Sequence, residues 1–217
     1  MAIAVEAYRL AYMALPKAGC SSVKEALARI DPDAALPPPE AQGHGTWHAL
    51  YPTARFRPHR WEQYEQRGWF RFCVVRDPID RLLSVYSNRV DRFDELKNSP
   101  RVRALGLPTK PDPDYFFGHL RDYIEASSVI KHHAIGAWLF LGPKPLRYTR
   151  VYRTKELGQL GADLSLITGQ TVTIPRANAS ERKVTWDELS GATRDSLRPF
   201  LDQEYEYLSE YYTNPLR

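Results

Sequence analysis

No apolar run in the sequence approaches the roughly 18 residues that a membrane-crossing helix needs. The longest candidate, Ala134 to Leu141, is far too short. The N-terminal MAIAVEAYRL has no basic stretch followed by an apolar one, so it does not read as a signal peptide. Cysteine is scarce. Cys20 and Cys73 make no CxxC pair and no zinc set. Neither is followed by the arginine that a cysteine-dependent phosphatase places six residues on; those positions hold Ala26 and Ile79. These absences predict a soluble, cytoplasmic protein with two reduced thiols. Charge of one sign is also lacking. Lys and Arg number 30 against 26 Asp and Glu, a net +4, with a pI near 9.0. That mild excess suits an anionic ligand, but it is not the basic stripe of a nucleic-acid binder, so no nucleic-acid partner is expected.

What is present is ordinary globular composition: 217 residues, 43% apolar and 26% charged. A chain of this length buries roughly 70% of its unfolded surface, and a single domain over 1–217 is expected. Ala7 to Leu15 reads as a buried strand. Ser22 to Ile30 reads as a helix, with Val23, Ala26, Leu27 and Ile30 on one face, Ser22 and Glu25 as a capping box, and Asp31-Pro32 as its stop. Residues 31 to 60 lack periodicity and read as a long surface excursion. Phe70 to Val75 is a second strand, and Asp77-Pro78 opens a helix with Ile79, Leu82, Leu83, Tyr86 and Val90 as its buried stripe. Residues 94 to 115 read as a loop and 116 to 140 as a helix. Arg147 to Tyr152 reads as a third strand, followed by a helix from Thr154 to about Ile167. Thr171 to Lys183 reads as a loop, and a last helix runs from about Trp186 to Tyr212. Strands each followed by helices imply an α/β fold, a parallel sheet flanked by helices.

Two segments carry chemistry. Pro16-Lys17-Ala18-Gly19-Cys20-Ser21-Ser22 lies between a strand and a helix. Small residues there let backbone N–H groups converge on an anion, the helix start adds partial positive charge, and Lys17 adds a full one. The order is not that of a Walker A loop, because Lys17 precedes the glycine. Arg76-Asp77-Pro78-Ile79-Asp80-Arg81-Leu82-Leu83-Ser84-Val85-Tyr86 puts Arg76 at the carboxyl end of a strand, where open parallel sheets bind ligands. A guanidinium at Arg76 and a hydroxyl at Ser84 suit a phosphate monoester.

Together the two segments resemble the sulfotransferase superfamily, in particular its carbohydrate branch, which includes heparan and chondroitin sulfotransferases and many bacterial relatives. Lys17-Ala18-Gly19-Cys20-Ser21-Ser22 is similar to that family's 5′-phosphosulfate loop, with Cys20 where Ser or Thr is commoner. Arg76-Asp77-Pro78, Arg81-Leu82 and Ser84-Val85-Tyr86 match every fixed position of its 3′-phosphate motif, R-[DN]-P-x-x-R-L-x-S-x-Y. Asn178-Ala179-Ser180-Glu181-Arg182-Lys183 resembles its late N-x-S segment, which closes over the nucleotide, and Phe200 to Tyr212 its C-terminal helix. The resemblance implies a sheet related to nucleotide kinases, with 3′-phosphoadenosine-5′-phosphosulfate (PAPS) as donor and PAP as product. It implies that the donor is held by Lys17 through Ser22, Arg76, Ser84, Asn178, Ser180, Arg182 and Lys183, with Lys17 also catalytic.

A hydroxyl acceptor needs a base, and histidine suits near-neutral pH. His44, in Gly43-His44-Gly45-Thr46, resembles a family segment of His, a small residue and Thr ahead of the 3′-phosphate motif; His48 is the second candidate. Their spacing of four does not make a zinc site, since the glutamate of H-E-x-x-H is missing and Gly45 weakens a helix. No carboxylates have metal-ligand spacing, so no metal is expected. A small-molecule or glycan acceptor is expected, carbohydrate being what the branch resemblance implies, and Trp47, Tyr51, Trp61 and Tyr64 are candidates to stack on it. Two rival readings compete: a P-loop kinase or hydrolase, disfavoured by the missing Walker A order, and a non-catalytic polyanion-binding module, disfavoured by the missing basic run.

Overall fold

Phe70–Val75 forms the strand that its aromatic and β-branched residues predict. The computed structural model describes residues 2–43, 45–175 and 183–217. Along the chain the elements are β1 (Ile3–Val5), β2 (Leu10–Met13), α1 (Cys20–Ile30), α2 (Thr46–Leu50), α3 (Pro58–Gln66), β3 (Phe70–Val75) and α4 (Pro78–Val85). A π-helical stretch, Tyr86–Arg92, continues α4. Then follow α5 (Pro100–Ala104), α6 (Pro113–Gly118), α7 (Leu120–Ala126), α8 (Ser128–Ala134), α9 (Trp138–Leu141), β4 (Arg150–Arg153), α10 (Leu157–Thr168) and α11 (Gly191–Tyr207). Internal contacts divide the chain into two units: Met1–Val75 with Ala137–Ala179, and Arg76–Gly136 with Ser180–Arg217.

The first unit holds the sheet, in the order β1-β2-β3-β4. β2, β3 and β4 are parallel, as the strand–helix alternation predicts. β1 is antiparallel to β2 and was not foreseen. The strand expected over Ala7 to Leu15 is only Leu10–Met13, because the 3₁₀ turn Glu6–Tyr8 and a left-handed Arg9 (φ 52) fold β1 back onto β2. All four residues of β2 are buried, which is why it reads as an unbroken apolar run and not as an alternation. Tyr12 pairs with Phe72 across the β2–β3 ladder, their rings stacked at 5.0 Å, and Tyr152 meets Phe72 edge-on at 6.2 Å. Val23 and Leu27 of α1 and Leu160 and Leu164 of α10 complete this core.

Residues 31 to 60 are not a plain excursion, since they hold α2 and the start of α3. Trp47 of α2 and Trp61 and Tyr64 of α3 are buried, so these three pack the unit and are not free to stack on an acceptor. The Trp61 Nε1–H donates to the Arg147 carbonyl at 2.9 Å, and the Tyr51 hydroxyl donates to the Asp31 carboxylate. The third strand starts at Arg150, three residues late, and α10 stops at Gly169 in the left-handed conformation (φ 68).

The second unit is helical. Asp77 caps α4, accepting the Asp80 N–H at 3.1 Å, with Pro78 in the first turn as expected. Leu82, Leu83, Tyr86 and Val90 are buried with Phe116, Phe117, Tyr123, Leu197 and Leu201. The single helix expected over 116–140 is four, α6 to α9. Local caps explain the breaks: Asp112 accepts the Tyr115 N–H at 2.8 Å before Pro113, and the Ser127 hydroxyl accepts the Ile130 N–H at 3.3 Å. The 94–115 stretch, expected as loop, contains α5. Ser190 caps a last helix shorter than the one expected over 186–212.

Arg81 anchors this unit. Its guanidinium, fully buried, meets Glu204 at 2.8 Å and donates to the Ile135 carbonyl at 3.1 Å. Removing one member of a buried ion pair strands the other charge, which costs about 3–5 kcal/mol. Glu204→Ala should therefore lower unfolding stability in urea by about that amount, and a loss below about 1 kcal/mol, the range of surface pairs, would contradict this assignment.

Candidate active site

β2 hands the chain through buried Ala14, Leu15 and Pro16 into a tight turn ahead of α1. Lys17 (φ 67) and Gly19 (φ 77) both take the left-handed conformation. Ala18 between them is buried and donates its N–H to the Leu15 carbonyl at 3.2 Å. Glycine adopts this backbone freely; a lysine there costs about 1–3 kcal/mol, a strain that clusters at functional sites. α1 begins at Cys20, two residues earlier than expected. Its N-cap is Gly19, so the capping box of Ser22 and Glu25 does not form. Ser22 is the third residue of the helix, and Glu25 pairs with Arg29 at 2.7 Å. A helix whose N-cap offers no side-chain acceptor, whose first turn holds no carboxylate, and which stands beside Lys17 is ready to accept an anion. Cys20, a free thiol in the first turn, is buried at 8% exposure.

Behind this loop lies a polar cluster. The Ser21 hydroxyl and His48 Nε2 are 2.7 Å apart. Lys24 Nζ lies 3.1 Å from His48 Nδ1 and donates to the Thr53 hydroxyl at 2.7 Å. Lys24 is completely buried. Burial lowers its pKa from the ordinary lysine value, with Cys20 acting the other way. α2 holds His48 in place, with its Trp47 buried under the Arg29 guanidinium. The sequence reading missed Lys24 and Thr53. The available signal was a lysine at i+4 from Cys20 and i+3 from Ser21, next to Val23 on the buried side of an amphipathic helix.

In the second unit Arg76 directly follows β3 and is half-buried. Burial lowers its pKa, while Asp80 and Asp77 pull it upward; a guanidinium keeps its charge regardless. Asp77 is fixed twice, as the cap of α4 and as acceptor of the Tyr205 hydroxyl at 2.8 Å. Ser84 donates to the Arg81 carbonyl at 2.7 Å, so its proton must leave that carbonyl to meet a phosphate oxygen. Lys183 is exposed. His44, Asn178, Ser180 and Arg182 lie outside the described residues. Among those described, no group of three or more His, Cys, Asp or Glu is placed to hold a metal ion. No helix among them is long and apolar enough to cross a membrane.

A sheet of three parallel strands with an antiparallel edge, whose second strand leads into a left-handed lysine–glycine turn and whose third leads into an Arg-Asp-Pro helix start, defines an α/β protein. Residues 2–213 match the Sulfotransferase family, and the chain belongs to it. Members of that family are PAPS-dependent sulfotransferases, and this chain is an enzyme of that class. No curated protein and no solved structure matches the chain.

The left-handed Lys17 separates charge from stability. Lys17→Gly removes the backbone strain and Lys17→Ala keeps it, while both remove the ammonium. The glycine variant should be the more stable of the two by about 1–2 kcal/mol in chemical denaturation. Equal stabilities would mean that the left-handed turn carries no strain.

Proposed function

We propose that this chain moves a sulfuryl group from PAPS to a hydroxyl acceptor, releasing PAP and using no metal ion. Carbohydrate is the acceptor class favoured by the branch it resembles. The observation that carries the reading is the left-handed Lys17–Gly19 turn at an uncapped helix start, in a chain that also matches the 3′-phosphate motif at Arg76 and Ser84. When bound, the donor supplies the sulfuryl group. The loop from Lys17 to Ser22 receives the 5′ end through its backbone N–H groups and the Lys17 ammonium. Arg76 and Ser84 take the 3′-phosphate. Asn178, Ser180, Arg182 and Lys183 close over the nucleotide.

As the acceptor oxygen bonds to sulfur, the bond from sulfur to the 5′-phosphate oxygen breaks, and negative charge gathers on that phosphate. In this reading Lys17 neutralises charge that develops on the leaving phosphate as the bond breaks and that bound PAPS lacks, which is where such a group accelerates a reaction. The acceptor's proton passes to a base. His48 has a polar neighbour on each ring nitrogen, so His44 is the proposed base and His48 a supporting group.

Incubation with PAPS and a panel of sugar, lipid and phenolic acceptors, read by mass, should yield a sulfated product and PAP; release of PAP with no sulfated acceptor would contradict this function. Lys17→Ala should lower turnover by about 10²–10³, far more than it weakens PAPS binding. Near-normal turnover would remove Lys17 from its role. Arg76→Ala should weaken PAP binding by about 1.5–3 kcal/mol and leave adenosine 5′-phosphosulfate, which has no 3′-phosphate, nearly unaffected. Equal losses for the two nucleotides would assign Arg76 to the fold.

A further inference from the structure

We propose that Lys24 is a positioning residue: from inside α1 its ammonium locks His48 in the tautomer protonated at Nε2, so that Ser21 accepts from the imidazole and turns its own proton to the 5′ end of the donor. The inference rests on the reading that the Lys17–Ser22 loop binds a sulfonucleotide.

With Lys24 as an ammonium, the distances set the direction of every bond. An ammonium has three donors and no acceptor. Lys24 Nζ stands 3.1 Å from His48 Nδ1, so Nδ1 must present its lone pair. A neutral imidazole that accepts at Nδ1 carries its proton at Nε2. Nε2 is 2.7 Å from the Ser21 hydroxyl, so Nε2–H donates and Ser21 accepts. The serine is then left with one proton and a fixed oxygen, and the proton can serve only as a donor elsewhere. Ser21 is the second residue of α1, in the turn where an anion is received. An anion's oxygen is the acceptor this arrangement prepares for.

The surroundings of Lys24 support the ammonium as the controlling group. Its nitrogen has a second acceptor in Thr53 at 2.7 Å, and no carboxylate pairs with it among the described residues. A fully buried cation without a counter-ion costs free energy that an anion at the start of the same helix helps to offset. Burial does lower the Lys24 pKa. A neutral amine would reverse the chain: it would accept from Nδ1–H, and Ser21 would spend its proton on Nε2. The two arrangements differ in which ring nitrogen is protonated, and that is measurable.

Long-range ¹H–¹⁵N spectra of histidine-labelled protein, with His48 assigned through His48→Gln, report the tautomer directly. The wild type should show Nε2 protonated and Nδ1 bare, and Lys24→Met should mix the two tautomers. A wild-type His48 protonated at Nδ1 or at both nitrogens, or a Lys24→Met spectrum unchanged from wild type, would overturn the proposal. PAP titrations give the second readout. Ser21→Ala and Lys24→Met should each weaken binding about fivefold, and the double variant no more than either alone. His48→Ala should lose a similar factor. His48→Gln, whose amide can accept from Lys24 and donate to Ser21, should recover most of it. Multiplying losses in the double variant, or a glutamine no better than alanine, would overturn the relay. If the wild type binds no PAP at all, the sulfonucleotide reading falls, whereas the tautomer spectra still decide what Lys24 does to His48.

Discussion

The way the chain leaves β2 governs what the first unit can do. Two left-handed residues, Lys17 and Gly19, reverse the backbone within a few positions and start α1 at Cys20. Had the helix begun on a capping serine, its first amides would have been occupied from within. Starting it on glycine leaves that end of the dipole for a ligand. The cost is a lysine in a conformation that favours glycine. Buried Ala14, Leu15, Pro16 and Ala18 hold the turn in place around it. Ser21 and Lys24 are set by the same start, since a shift of α1 by one residue would turn Lys24 by about 100° away from His48 and Thr53.

Two buried cations show how differently the two units use charge. Arg81 is closed on Glu204 and on main-chain carbonyls. It ties α4 to α11, and it explains an arginine in the R-D-P-x-x-R motif without assigning it to a ligand. Asp77 of the same motif has a similar task, capping α4 and accepting from Tyr205. Lys24, by contrast, meets neutral partners among the described residues, a ring nitrogen and a hydroxyl. A paired buried charge serves the fold; one held by neutral acceptors polarises them and orients their protons. A motif match alone does not distinguish these roles, because it names both Arg76 and Arg81 without saying which one faces the ligand.

Much of this was legible in the residues. Phe70–Val75, the Asp77-Pro78 helix start and the parallel order of the three main strands follow from propensity, capping and strand–helix alternation. The family was legible because its motifs are short, spaced and chemically constrained. Other features depend on contacts across long stretches of sequence. β1 pairs only because Glu6–Tyr8 turns back, which no periodicity in three residues announces. Trp47 and Trp61 sit in a stretch rich in proline and glycine, and their burial comes from the rest of the first unit. The break between α7 and α8 hangs on one serine, Ser127, whose capping bond outweighs the continuing apolar pattern. Lys24 reads as a solvated helix lysine until His48 and Thr53, more than twenty residues away, are folded against it.

On the function proposed, the protein recognises a 3′-phosphorylated sulfonucleotide and not a metal–nucleoside triphosphate. Thermal unfolding of the wild-type protein with saturating PAP, and separately with ATP and Mg²⁺, tests this most directly, since a ligand bound only by the native state raises the melting temperature, by an amount that grows with the logarithm of its concentration over Kd. PAP should raise it by several degrees and ATP with Mg²⁺ should leave it unchanged. Stabilisation by ATP and Mg²⁺ with none by PAP would contradict this and favour a P-loop kinase or hydrolase.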